Sequence, residues 1–271
     1  MLASSGSSPS FPIASLALEA FGMKFSGGGA HASRTMMLAE LEIVLAAVPL
    51  GSDALAYREA IVDRNALGKP TDSTRLKSLR HLRELYALDE AVPIFGLLRK
   101  LHAADQGQSL PLLALQVAWS RDQLLRATTQ PVLDALVGEC VARARLEDVF
   151  EAAFPDQYSP ASSKTATQNA ASTWTQAGYF AGHAKKIRQE LKPSLVALTM
   201  ALFLGNVAGY HGAAVFSSPW CALLDLSADR AKAMAQDAHR AGLLNLRAVG
   251  EVVEIGFPLF AKFQTLGACR T

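Results

Sequence analysis

The stretch at residues 172–188, S-T-W-T-Q-A-G-Y-F-A-G-H-A-K-K-I-R, most narrows the folds open to this chain. A polar helix stops at Ala177-Gly178, because glycine supplies the left-handed backbone that ends a helix. Two bulky residues follow, Tyr179 and Phe180, and a second glycine, Gly182, suits a tight turn before a β-prone segment. Residues 238–255 repeat the grammar with Ala241-Gly242, Leu243-Leu244 and Gly250. Helix, stop, strand, turn, strand is the local order of a winged helix-turn-helix, in which the helix can enter a groove and the hairpin can rest on phosphate.

Before residue 175 strand signals are scarce and helical spacing dominates, so the expected fold is mainly α, with short β-hairpins confined to the C-terminal half. Ser33 can cap a helix carrying Met36, Met37, Leu41, Val44 and Leu45, and Ser52 opens the next. The turn N-A-L-G-K-P-T-D-S-T-R precedes a helix with a buried stripe of Leu76, Leu79, Leu82, Leu85 and Tyr86 and an opposite face of Lys77, Arg80 and His81. Further helices are predicted over 93–104, 109–129, 131–137, 141–153 and 227–241. The proline- and serine-rich run after residue 154 reads as a linker. The expected organisation is therefore a disordered tail over 1–12, a helical bundle over 13–154, and a C-terminal region over 155–271 with winged-helix-like units at about 160–192 and 218–258.

Half of the 271 residues are apolar and 18% are charged, which marks a folded chain with a large core. Residues 193–224 concentrate this character, with His211, Tyr210 and Cys221 as their titratable side chains. A membrane span needs about 20 apolar residues, so length permits one. Gly205, Asn206, Gly209, Tyr210, His211 and Gly212 interrupt the run, which favours a buried helix pair with His211 in the core. A docking surface and a membrane segment are the other readings. Cys140, Cys221 and Cys269 are widely spaced and fit neither a disulfide framework nor a zinc site, and the reducing cytoplasm is the expected compartment.

A net charge of +2 leaves any polyanion contact to local clusters. Residues 64–83 hold six bases against one acid, which places Arg75, Lys77, Arg80 and Arg83 on a candidate phosphate track. Residues 160–192 hold five bases against one acid, which gives Lys185, Lys186 and Arg188 to phosphate from a wing. Asn169, Ser172, Thr175 and Gln176 are side-chain types that bond phosphate oxygens or base edges, whereas Trp174 reads as a core anchor. The helix at 227–241 presents Lys232, Gln236, His239 and Arg240 outward, but Glu251 and Glu254 on its hairpin repel phosphate.

Catalytic signatures are missing: no G-x-S-x-G, H-E-x-x-H or G-x-G-x-x-G occurs. Ser120-Arg121-Asp122 reads as a local ion pair or helix cap, and Ser26 with Gly27, Gly28 and Gly29 reads as a connector. No enzyme activity, metal or cofactor is expected.

Two segments, 65–89 with N-A-L-G-K-P-T-D-S-T-R and L-R-E-L-Y-A-L-D, and 169–188, resemble the BrxA family of BREX bacteriophage-exclusion loci or a closely similar defence-island group. The likeness spans roughly residues 30–260. It implies a bundle akin to the antitermination factor NusB, winged-helix-like elements, and double-stranded-DNA binding without catalysis in an anti-phage system. The partners it implies are a methyltransferase, a phosphatase-like protein and a large ATPase. The alternatives are a protein-interaction module of a defence complex and an inner-membrane-associated protein using residues 193–224.

Overall fold

A computed structural model describes residues 11–13, 15–249 and 252–261. Residues 1–10 of the tail expected over 1–12, the turn at Gly250 and Glu251, and Cys269 lie outside the described residues. The chain is mainly helical, with two small antiparallel sheets in its C-terminal half.

The N-terminal bundle runs through α1 (Ser15–Phe21), a 3-10 turn (Ala30–Ala32), α2 (Leu38–Ala47), α3 (Ala54–Arg58) continued by a π-helical turn (Glu59–Asp63), α4 (Asp72–Tyr86), α5 (Pro93–Ala104) and α6 (Leu110–Arg121). Local chemistry sets the starts. Asp53 accepts from the amides of Leu55 and Ala56, Thr71 and Thr74 form a reciprocal capping box, and Pro93 occupies the first turn of α5. Leu79, Leu82, Leu85 and Tyr86 form the buried stripe of α4. Two of its assignments are corrected: Leu76 is half exposed, and His81 turns inward at 5% exposure. The helix expected from Ser33 begins only at Leu38, because Met37 takes a left-handed φ of 51° and the preceding segment lies flat along a later helix.

The helix expected over 109–129 breaks at Asp122. Its carboxylate accepts from the amides of Leu124 and Leu125 and starts α7 (Gln123–Ala127), which is followed by α8 (Thr129–Leu133). Next come β1 (Cys140–Val141), α9 (Arg143–Ala153), α10 (Pro160–Gln176), β2 (Phe180–Ala181) and β3 (Lys186–Arg188). The sheet order is β1-β3-β2, with Cys140 opposite Ile187 and Phe180 opposite Arg188. Helix, strand, helix, helix, strand, strand, with the last strand in the middle, is the connectivity of a winged helix. This corrects the expected boundary: β1 pairs with β3 and α9 packs on α10, so the chain on both sides of residue 154 builds one unit, beginning near 123 rather than 160.

A second unit follows with the same order: α11 (Leu195–Val207), a 3-10 segment (Gly212–Ser217), α12 (Pro219–Leu223), α13 (Ala228–Arg240), β4 (Asn245–Val249) and β5 (Val252–Gly256). The 3-10 segment packs on β5, where the first strand lies in the preceding unit.

Residues 197–205 of α11 are buried without exception, so this helix is core and offers no docking face. Among the described residues no single helix is long and apolar enough to cross a membrane; α11 and the segment Gly212–Leu223 reach that composition only as a pair bent by 118°. His211 is a further correction: it is exposed and meets Asn206 at 3.1 Å. One continuous core links Leu18 of the bundle to Phe260, uniting the two expected domains. Phe11 joins it, with its ring 4.9 Å from Phe25 and 5.6 Å from Trp220, so the tail expected over 1–12 is packed at its last residues.

Candidate nucleic-acid interface

Helix α10 holds the third-helix position of the first unit, the one that meets a groove in winged-helix proteins. Ser159 caps it by accepting from the Ser162 amide, Pro160 fits its first turn, and Gly178 at φ 91° ends it. Ala166, Thr167, Ala170, Thr173 and Trp174 bury one stripe, and the Trp174 indole donates to Thr128 Oγ1 at 2.9 Å, the core role expected of it. The opposite stripe exposes Ala161, Lys164, Thr165 and Gln168, and leaves Ala171, Ser172 and Thr175 half-buried. No carboxylate occurs in the helix. The hydroxyls of Thr165, Ser172 and Thr175 each donate to a carbonyl one turn back, at 2.8–2.9 Å, which leaves their lone pairs as outward acceptors.

Two of the four predicted α10 residues are engaged elsewhere. Residues 31–38 lie along the helix as a strap, to which the Asn169 amide donates through the His31 carbonyl at 2.9 Å, while Gln176 Oε1 accepts from the Leu38 amide. Beneath the strap His31 Nδ1 sits 2.7 Å from Asp122 Oδ2 and Nε2 sits 2.8 Å from Thr173 Oγ1, which also accepts from the Met36 amide. An acid, an imidazole and a hydroxyl in line suggest nucleophilic chemistry, yet His31 and Thr173 are fully buried and Asp122 is 2% exposed. The arrangement clamps the strap to α10 and α7. Burial pushes the Asp122 carboxyl up, but His31 and the amides it accepts from outweigh this and hold it below its ordinary value. Asp122 thus takes the helix-cap role foreseen for it, with His31 rather than Arg121 as its partner.

The wing is a short β2–β3 hairpin. Gly182 turns at φ 90°, and a Cβ there would strike the Lys185 carbonyl. Lys185 is exposed; Lys186 is half-buried and donates to the Gly182 carbonyl at 3.1 Å. Arg188 is a correction, since its side chain is 1% exposed. It donates to the carbonyls of Val132 and Gln189, meets Asp225 Oδ2 at 2.6 Å, and lies over the Tyr179 ring at 4.9 Å. Enclosed at the inner end of β3 by these partners, it locks the wing to the core instead of touching phosphate.

The α4 track is thinner than its charge count. Arg75 is engaged with Asp72 and with the carbonyls of Lys69 and Val62, and Arg83 donates to the Ala54 carbonyl. Lys77 and Arg80 stay exposed, and neither has a carboxylate within 4 Å among the described residues. Arg34, at the strap, lies near enough to His81 that it joins burial and Arg80 in lowering that imidazole's pKa. The strap therefore stands between the α4 face and α10. Sequence reasoning missed Arg34, Lys164, Thr165 and Gln168; the last three share a helical face opposite Trp174, and that spacing was the available signal.

On the second unit, α13 exposes Lys232, Gln236, His239 and Arg240 as expected, but intersperses Asp229 and Asp237, the latter pairing with Arg240. The described residues hold no cluster of three or more His, Cys, Asp or Glu able to bind a metal ion. No protein-family model matches the chain, and no curated protein matches its sequence.

Proposed function

We propose that this protein binds double-stranded DNA without catalysing a reaction, through α10 and the wing of its first winged-helix unit, as an accessory component of a bacterial phage-defence system. One observation carries the DNA reading: the third helix of a winged-helix arrangement presents an exposed N-terminal half with one lysine, several polar groups and no carboxylate. Lys185, with Lys186 at the wing base, supplies the phosphate contacts; Lys77, Arg80 and Arg34 form a second basic face across the strap. Backbone contacts by lysine and arginine position a protein on a duplex. The defence assignment rests on the resemblance of residues 65–89 and 169–188 to the BrxA family.

The charge is modest. Asp148 and Glu151 on α9 are exposed beside the same helix. Two lysines neutralising two phosphates give a salt slope of about −1.8 for this unit, far shallower than that of strongly basic binders. Fluorescence anisotropy with a labelled duplex at graded salt tests the reading. Lys185→Glu with Lys186→Glu should weaken binding to every sequence and flatten the slope by about two; absence of duplex binding by the intact chain at low salt would refute it.

A second reading, a protein-interaction module of a defence complex, has one observation in its favour. Leu136 and Val137 stand 76% and 63% exposed just before the edge strand β1. A pull-down of candidate partners that is lost in Leu136→Ser/Val137→Ser while duplex binding persists would support it.

A further inference from the structure

We propose that α10 reads base edges in the major groove, with Gln168 on an adenine and Lys164 on a guanine, so that this protein selects a short sequence instead of coating DNA. The inference rests on the duplex-binding reading and deepens it. Four features lead to it. The exposed residues of α10 lie in its N-terminal half, the part of a third helix that reaches base edges when docked in the major groove. Gln168 projects from that stripe with no intramolecular partner among the described residues for its amide, whereas the neighbouring Asn169 is tied to the His31 carbonyl. A glutamine amide matches the donor and acceptor pair of adenine N6 and N7, and lysine matches guanine O6 and N7.

The hydroxyls add a directional constraint. Thr165 and Ser172 donate to carbonyls of their own helix, and while those bonds hold their outward lone pairs accept. In that state they suit a proton donor such as adenine N6 or cytosine N4 better than a phosphate oxygen. Ala161 leaves room for a thymine methyl. The weak charge of the unit points the same way, because a surface with about two phosphate-facing lysines lacks the electrostatics for strong indiscriminate binding.

The geometry fixes the size of the site. Lys164 and Gln168 are one turn apart, about 6 Å along the helix, and the exposed stretch from Ala161 to Gln168 spans about 10 Å. At about 3.4 Å per base step, the two contacts lie roughly two base pairs apart within a core of three or four.

Selection from a random duplex library by the full chain, followed by titration of the enriched sequence against a scrambled duplex, tests this. The expected result is a core of three or four base pairs containing an adenine and a guanine. Gln168→Ala should erase the preference at the adenine by roughly 5- to 150-fold while leaving affinity for scrambled DNA and the salt slope unchanged. Lys164→Ala should relax the guanine position more than it weakens scrambled binding. Because both side chains are exposed, neither variant endangers the fold. Duplex binding with no enriched motif, or a motif unaltered in Gln168→Ala, overturns the inference and leaves the duplex reading standing. Equal weakening on all sequences by Lys164→Ala reassigns that lysine to phosphate and overturns its base contact. A failure of every duplex to bind at low salt removes the reading and the inference together.

Discussion

Arg188→Ala separates architecture from function in the wing. Its guanidinium bonds three groups, the carbonyls of Val132 and Gln189 and the carboxylate of Asp225, and stacks over Tyr179. Truncation leaves two carbonyls short of a donor and one carboxylate without a counter-charge. Breaking a buried pair from one side costs about 3–5 kcal/mol. The Asp225 side chain is 36% exposed and recovers part of its solvation, so the expected loss lies near the lower end, about 3 kcal/mol. That is a large share of a total stability of about 5–15 kcal/mol. Urea unfolding followed by tryptophan fluorescence measures it, since Trp174 and Trp220 are fully buried. Lys185→Ala, three residues away and exposed, should stay within about 0.5 kcal/mol of the parent. Replacing both partners, Arg188→Met with Asp225→Leu, should recover part of the loss, because an apolar pair leaves no lone charge. If Arg188→Ala unfolds at the parent's midpoint yet loses duplex affinity, the side chain acts at the surface and the packing argument fails.

Gly182→Ala should loosen the wing, since its φ of 90° is unfavourable for alanine and the new Cβ strikes the Lys185 carbonyl; proteolysis confined to residues 181–186 would register it. Gly29→Ala should destabilise for a different reason: its φ of −152° suits any residue, but the added Cβ runs into the Asp122 carboxylate and pries the strap from α7, which a drop of several degrees in Tm would reveal. Stability should also fall on acidification below about pH 6.5. Burial with Arg80 and Arg34 lowers the His81 pKa, and burial with Arg99 lowers that of His102, so the unfolded chain takes up those protons first; His81→Gln should flatten the decline in urea midpoint between pH 7 and 5. Asp122, held below its ordinary value, contributes stability that is full above about pH 4 and lost as pH falls further, so Asp122→Asn should remove the acid limb below that pH.

Much of the architecture was legible because it is local. The helix at 93–104 matches α5 residue for residue, the glycine stops at 178 and 242 end α10 and α13, and the hairpins fall where the second glycines placed them, although Gly250 lies outside the described residues. The errors arise where distant chain decides. A helix from Ser33 is locally sound, but Met36 finds a donor's partner in Thr173, far along the chain, and the segment stays extended over α10. The domain boundary at 154 follows proline and serine faithfully and still cuts through a unit, because β1 is two residues long and takes its identity from pairing with β3. No periodicity can signal a strand that short.

The candidate site failed in a more instructive way. Charge counting treats every base alike, yet Lys186 and Arg188, two residues apart and so on one face of β3, take opposite roles: Lys186 beside the turn stays partly outward, whereas the core and Asp225 enclose Arg188. On α4, Arg75 and Arg83 serve carbonyls while Lys77 and Arg80 remain available. Removing the engaged bases leaves a near-neutral unit whose exposed recognition stripe is polar. Such a surface binds phosphate weakly and can bind at all only where hydrogen-bonding groups meet complementary bases. The same subtraction that weakens the case for indiscriminate DNA binding therefore strengthens the case for sequence choice, and it shifts the weight of the site from Arg188 to Gln168, a residue with no charge.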